Sequence, residues 1–355
     1  MNIPFVDLKL HNNFFKKKFI KNFNKILENS NFIKGKNNLL LEKKICKIFK
    51  CKYSLNVNSG TDALIIAIKS LNLKSKSQII TTSNTWISSA YAIELNDCKP
   101  VFVDVNPDTF QIDCNSIRKK INNKTKAIIV THLYGNPSEL DKICKIAKEK
   151  NLYIIEDIAQ AHLASYNNKI VGNFGDVSCL SFYPSKNLGA LGDAGNLITN
   201  SKKIYKNAVK FANYGSLNFK DKNHTTIGIN SRMDELQASF LLEKIKYLKS
   251  ETKKRIKLAN IYNKICKKIK IKTIKVSENS INVYHLYPII VKNRNNVKKK
   301  LKRLGINTQI HYEIPIHLQA AFKHLKYKIG SLPVTEYLSK NILSLPFYPG
   351  MNKNK

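Results

Sequence analysis

Apolar positions along the chain change their spacing in a regular way. From about residue 53 to 200, short β-branched runs alternate with longer stretches of helical period. The runs Tyr53–Val57, Gln78–Thr82, Pro100–Asp104, Ala127–Thr131, Leu152–Glu156 and Val177–Ser181 read as strands, and Asp62–Ser70, Ile87–Leu95 and Glu139–Lys150 as helices. Strand-helix-strand alternation predicts an α/β fold, a mainly parallel sheet with helices on both faces. Ligands collect at the carboxyl ends of the strands in such sheets, so chemistry is expected at that edge. After Arg232 the pattern shifts to a long helical stretch from Asp234 to about Lys270. Strand-like Val283–Val291, a Lys-rich helix near Val297–Leu304 and a Pro-containing tail follow. The division expected is a large α/β domain over residues 1–240 and a smaller C-terminal α+β domain over 241–355.

Composition narrows the class. At 355 residues and 43% hydrophobic content the chain is long enough for about two domains and too apolar to be disordered. No uninterrupted apolar stretch approaches the roughly 20 residues that cross a bilayer, and the start Met1-Asn2-Ile3-Pro4-Phe5 lacks the features of an export signal, so no membrane association and a cytoplasmic location are expected. The seven cysteines are scattered and include no C-x-x-C pair, which predicts reduced thiols and no metal site. A formal charge of +37 would suit a nucleic-acid partner if the cations clustered on a recognition motif. Nearly all are Lys, with Arg only at 118, 232, 255, 294 and 303, and they are spread through the whole chain; no nucleic-acid partner is expected.

Three segments carry candidate chemistry. Asn58-Ser59-Gly60-Thr61-Asp62 follows a strand and opens a helix, where free backbone N–H groups bind phosphate; an ordinary helix cap would look the same. In Tyr153-Ile-Ile-Glu-Asp157-Ile-Ala-Gln160-Ala-His162 an acidic pair ends an apolar strand. A carboxylate there can hold a ring nitrogen protonated, or else cap the next helix. Ser181-Phe-Tyr183-Pro-Ser-Lys186-Asn187 runs into Gly189, Gly192 and Gly195, a spacing that fits neither a dinucleotide fingerprint nor a Walker loop. A lysine just after a strand end, followed by glycines, is placed to form an imine with an aldehyde cofactor.

With these segments in place, the chain resembles the pyridoxal-phosphate-dependent nucleotide-sugar aminotransferases of the DegT/DnrJ/StrS group. The likeness runs from Ile3-Pro-Phe-Val-Asp-Leu8 to Leu345-Pro-Phe-Tyr-Pro349. It passes through Asn84-Thr85-Trp86, Pro100-Val-Phe-Val-Asp104, His132-Leu-Tyr-Gly-Asn-Pro137, Gly228-Ile-Asn230-Ser-Arg232-Met-Asp234 and Tyr284-His-Leu-Tyr287. The segment Gly305-Ile-Asn-Thr-Gln-Ile-His311-Tyr312-Glu-Ile-Pro-Ile-His317-Leu-Gln319 most resembles the branch that makes dTDP-3-amino-3,6-dideoxyhexoses.

The resemblance implies fold-type I, the aspartate aminotransferase-like architecture, and pyridoxal 5'-phosphate as cofactor. Lys186 would bond covalently to the cofactor and move the proton, and Asp157 would pair with the pyridinium nitrogen. Gln160 would touch the ring 3-oxygen and Trp86 would stack on the ring. Gly60, Thr61 and Ser181 would hold the phosphate, with Asn230 reaching in from the other subunit of a homodimer with shared active sites. Tyr183, His311, Tyr312 and His317 would grip the substrate. The implied reaction moves an amino group from L-glutamate to a keto-sugar nucleotide, foremost C3 of a dTDP-3-keto-6-deoxyhexose, for amino-sugar biosynthesis; C3 or C4 of a UDP- or GDP-linked keto sugar is the alternative. A sugar dehydratase of the same superfamily would carry His where Lys186 stands. A non-catalytic cofactor-binding regulator would have lost Lys186 or Asp157. Two departures stand out. Gly192-Asp193-Ala194-Gly195 places a methyl where relatives have Gly, a change expected to be tolerated. The sequence also ends at Lys355 where relatives continue into one more helix, so that helix is either dispensable or its loss lowers stability.

Overall fold

The structure is a computed structural model describing residues 2–218 and 223–351. Its centre is a seven-stranded sheet built from β1 (Tyr53–Val57), β2 (Gln78–Thr82), β3 (Lys99–Val103), β4 (Thr125–Thr131) and β5 (Tyr153–Asp157). After the short strands β6 (Ser165–Tyr166) and β7 (Lys169–Ile170), it is completed by β8 (Val177–Ser181) and β9 (Gly195–Thr199). The spatial order is β1-β9-β8-β5-β4-β2-β3. Neighbours from β8 to β3 pair in parallel, whereas β9 runs antiparallel to both β8 and β1. The six strands read from the sequence match to within two residues at either end; β9 has no counterpart among them.

Side-chain alternation along the strands divides the core. Ile79, Ala127, Ile129, Ile155 and Leu197 face α3 (Gly60–Ser70), α4 (Ser88–Glu94) and α7 (Lys202–Ala212). Their neighbours Ile80, Ile128, Val130, Ile154 and Ile198 face the other way. There they meet α2 (Lys36–Phe49), α5 (Cys114–Lys120), α6 (Leu140–Lys150) and α8 (Glu235–Lys244). A sheet buried on both faces needs apolar residues in both registers, which is why its strands read as continuous apolar runs. The long N-terminal helix α1 (Leu8–Asn29) packs on α8.

The expected long helix from Asp234 to Lys270 is two helices. A 3-10 turn at Ile245–Tyr247 separates α8 from α9 (Leu248–Lys268). The expected strand Val283–Val291 shortens to Tyr287–Ile290, because Val283 and His285 spend their backbone N–H groups on the carbonyls of Gly135 and Tyr134. The C-terminal part holds β10 (Lys272–Thr273), β11 (Ser280–Ile281), β12 (Tyr287–Ile290), α10 (Arg294–Arg303), α11 (Pro333–Asn341) and β13 (Ile342–Leu345). Strands β10, β12 and β13 make a separate antiparallel sheet, and β11 joins β6 and β7. Residue 240, the division expected from the sequence, falls inside α8, whose packing is against α1 and α2. All seven cysteines are free thiols. Ala194 is buried and outside the left-handed backbone region, so its methyl meets no backbone strain.

Candidate active site

The carboxyl ends of β2, β4, β5 and β8 and the first turn of α3 converge on one edge of the sheet. Ser59 caps α3: its Oγ accepts from Asp62 N (3.0 Å) and its carbonyl from Ala63 N (3.0 Å). The amides of Gly60 and Thr61 keep no intrahelical acceptor. Gly60 is pressed against the end of β8; a Cβ there would lie 2.6 Å from Ser181 Cβ, so only glycine allows this approach. Thr61 Oγ1 bonds Ser88 Oγ at 2.8 Å. Exposed amides, two hydroxyls and a helix N-terminus form a cradle that fits a phosphate.

The acidic pair at the end of β5 is split by the strand's alternation. Asp157 lies on the α3 side and is 7% exposed, with Oδ1 accepting from Ala159 N at 3.1 Å. Burial raises its pKa, opposed by that amide and by the charge of Lys186. Among the described residues it has no salt-bridge partner, which leaves a buried carboxyl suited to a cationic ring N–H. Glu156 points to the opposite face and is not part of the site. Its Oε2 meets His132 Nε2 (3.2 Å) and Gly172 N (2.8 Å), and its Oε1 accepts from Phe174 N (2.7 Å) and Gly175 N (2.8 Å). His132 Nδ1 accepts from Ser138 N at 3.0 Å, which puts the ring proton on Nε2, toward Glu156.

Lys186 follows β8 in a short loop, its amide donating to Tyr183 O at 2.8 Å. Burial pushes its pKa down to about 8, while the Asp157 charge acts to raise it. An amine so poised is available as a nucleophile near neutrality. Gln160 uses both ends of its amide, Oε1 accepting from Tyr134 N (2.7 Å) and Nε2 donating to Tyr312 OH (3.2 Å). One Nε2 hydrogen remains for a ligand. Trp86 is 59% exposed and so does not serve as core filling; its ring lies 5.8 Å from that of Tyr312.

The remaining candidates divide. Tyr183 is exposed beside Lys186. His311 bonds Ser344 Oγ through Nδ1 (3.0 Å), and burial, with Lys186 nearby, pushes its pKa down to about 4, so the ring is neutral. Asn230 is exposed, its backbone bridged to Asn213, while its neighbour Ser231 donates to Asp62 Oδ2 (2.6 Å) and accepts from Asn58 N (3.2 Å). His317 is not brought into the site. It is buried with Nδ1 on Ser83 Oγ (2.7 Å) and Nε2 on Glu336 Oε1 (3.2 Å), so both ring nitrogens are committed. Two histidines near Lys186 have no role readable from the sequence. His162 accepts from Leu188 N (3.3 Å), and His285 meets Asn187 Oδ1 (3.2 Å). Their signal was position next to a motif, which carries no chemistry until the fold is known.

The profile of the DegT/DnrJ/EryC1/StrS aminotransferase family matches residues 14–355. The chain belongs to that family. It is 38% identical over 353 residues to the dTDP-3-amino-3,6-dideoxy-alpha-D-galactopyranose transaminase of Aneurinibacillus thermoaerophilus, covering 99% of this chain and 96% of that one. To the UDP-2-acetamido-2-deoxy-3-oxo-D-glucuronate aminotransferase of Pseudomonas aeruginosa it is 35% identical over 347 residues, covering 98% and 95%. The solved structure of S. venezuelae DesV in complex with ketimine intermediate superposes with a TM-score of 0.96 at 31% identity, covering 99% and 95%. This sugar aminotransferase is thus a pyridoxal-phosphate-dependent transaminase of fold type I. Among the described residues, no helix is long and apolar enough to cross a membrane.

Proposed function

We propose that this aminotransferase moves an amino group from L-glutamate to C3 of a dTDP-linked 3-keto-6-deoxyhexose. The observation that carries the transaminase chemistry is Asp157, buried at the end of β5, with Lys186 in the loop that follows the adjacent parallel strand β8, each shifting the other's proton affinity. When bound, pyridoxal phosphate supplies an electron sink that makes the proton on the carbon bearing the amine acidic. Asp157 would hold the proton on the ring nitrogen, and Lys186 is the amine that would bond to the cofactor and move a proton at the substrate carbon. Gln160 would donate its remaining hydrogen to the ring 3-oxygen, and the Trp86 ring would cover one face. The amides of Gly60 and Thr61 and the Ser181 hydroxyl would hold the phosphate.

Tyr183, Tyr312 and His311 are the groups we assign to the sugar nucleotide; His317 is withdrawn because its ring is fully occupied. Asn230 is assigned to the partner's site in a homodimer. Exposed apolar residues beside it, Leu217 and Ile227, and others on α1, such as Phe14, support a covered surface there. The sugar assignment is supported by the likeness to the Aneurinibacillus enzyme and by the Gly305–Gln319 segment. A UDP-linked 3-keto sugar is the second reading, favoured by the Pseudomonas relative. A relative from Geobacillus stearothermophilus, 36% identical, is named a pleiotropic regulatory protein, but Lys186 and Asp157 are both in place here.

The test is an absorption spectrum of the purified protein, with L-glutamate and then a panel of 3-keto and 4-keto sugar nucleotides. Bleaching of a visible band by glutamate and its return with one dTDP-linked 3-keto sugar is the expected result. Return only with a UDP-linked sugar supports the second reading, and a band indifferent to every donor overturns both.

A further inference from the structure

The loop that carries Lys186 is closed at its neck. Ala190 N donates to Phe182 O (2.7 Å), and the chain doubles back so tightly that a Cβ on Gly189 would lie 2.2 Å from Pro184 O. Four contacts pin this loop from outside. Asn187 donates to Val283 O (3.4 Å) and meets His285 Nδ1, and Leu188 N donates to His162 Nδ1. Gly189 O accepts from Lys244 Nζ at 2.6 Å.

Lys244 is an unusual residue for that place. It closes α8, is only 5% exposed, and its ammonium lies 5.2 Å from the Phe240 ring one helical turn earlier. No carboxylate forms a salt bridge with it among the described residues. Burial pushes its pKa down to about 8, with the buried Arg255 adding to the effect and Glu251 opposing it. A buried ammonium without a counter-ion opposes folding, and methionine would fill similar space without a charge. The compensating contact is the carbonyl at the neck of the lysine loop. Arg255, also buried, works on the other side: its guanidinium reaches the carbonyls of Tyr284 (3.2 Å) and His285 (3.4 Å), behind the imidazole that meets Asn187.

We propose that Lys244 is a positioning residue for the reaction, its ammonium anchoring the Gly189 carbonyl so that the base of the Lys186 loop stays fixed while the Lys186 side chain moves. This rests on the assignment of Lys186 as the reacting lysine. A lysine that serves the same carbon in both half-reactions needs a mobile tip on a rigid root, and small misplacements of a reacting group lower rates steeply. The contact touches neither cofactor nor substrate, so its loss should act on turnover rather than on binding.

The test is Lys244→Met in the full-length protein, read by amide hydrogen exchange of the peptide covering residues 184–190 and by steady-state kinetics. The expected result is exchange in that peptide faster by about tenfold or more, kcat lower by about tenfold, and KM for the keto sugar within about twofold, with Lys244→Arg restoring both. Thr252→Val, at a buried hydroxyl whose bond to Leu248 O (2.8 Å) stays within α9, controls for general loosening and should leave the peptide's exchange unchanged. If Lys244→Met does not fold, Lys244→Gln, uncharged and one atom short of the carbonyl, is read in the same way. Unchanged exchange at 184–190, or faster exchange with unchanged kcat, overturns the proposal. Full activity in Lys186→Ala would instead overturn the assignment of Lys186 and leave the exchange result standing.

Discussion

Glu156 and Asp157 are adjacent carboxylates to which the fold gives opposite duties, and exchanging each for its amide separates them. Glu156 is fully buried, and its two oxygens accept four hydrogen bonds, three from backbone amides at 172, 174 and 175 and one from His132 Nε2. Burial works to raise its pKa, but His132 and these amides outweigh it and the pKa is lowered. In Glu156→Gln one oxygen becomes an NH2 group. Whichever way the amide turns, two N–H donors then face another donor. At roughly 1–3 kcal/mol for each unsatisfied buried group, the loss of stability is about 2–6 kcal/mol. Urea unfolding followed by far-UV circular dichroism measures it. The lowered pKa also fixes the sign with pH. The carboxylate's contribution is complete above the ordinary carboxyl range and is lost as pH falls through it, so the variant's stability should depend less on pH there. Asp157→Asn should behave oppositely, keeping or gaining stability because its carboxylate is buried without a salt bridge, while losing cofactor affinity. A loss below about 1 kcal/mol in Glu156→Gln would refute the assignment of Glu156 to structure.

Three further outcomes follow from the site. Gly60→Ala should weaken phosphate and cofactor binding by at least tenfold, measured by fluorescence titration, because its methyl meets Ser181 at 2.6 Å; an unchanged affinity would show that the turn yields. His317→Phe should lower stability by about 1–3 kcal/mol through the lost ring bonds to Glu336 and Ser83, and leave KM for the keto sugar unchanged; a KM rise above about fivefold would return His317 to the substrate set. The rate at which apoprotein takes up pyridoxal phosphate should rise with pH and level off above about 8, as Lys186 becomes neutral, and the midpoint should move down in Asp157→Asn, where the charge that holds the proton is gone.

Much of the large sheet was legible because its strands are short apolar runs bounded by turns. Tyr53–Val57, Gln78–Thr82 and Val177–Ser181 have the same limits in the sequence reading and in the structure. Strand β9 was not legible, since Gly195-Asn-Leu-Ile-Thr199 follows the glycine-rich segment directly and its direction depends on partners far away in the chain. The site was legible only through motif order: one lysine among so many carries no signal, and position after a strand end singled out Lys186. What escaped were polar residues whose partners lie far off in sequence. Glu235 reaches the amides of Asn37 and Asn38 at the start of α2, and Asp104 reaches Val334 and Thr335 at the start of α11. No local pattern marks such a carboxylate as a remote helix cap.

The placement of β9 governs the order in which this protein can be made. β1 stands at one edge of the sheet, and its strand partner β9 begins at residue 195, with Tyr53 opposite Thr199. A chain emerging from the ribosome therefore carries β1 without its neighbour until the whole glycine-rich loop and the strand beyond it have been synthesised. The parallel strands that emerge in between can pair first, leaving the edge of β8 open until β9 fills the gap. Nascent chains stopped before residue 195 would expose two unpaired strand edges and should aggregate, whereas those carried past residue 199 should pair them.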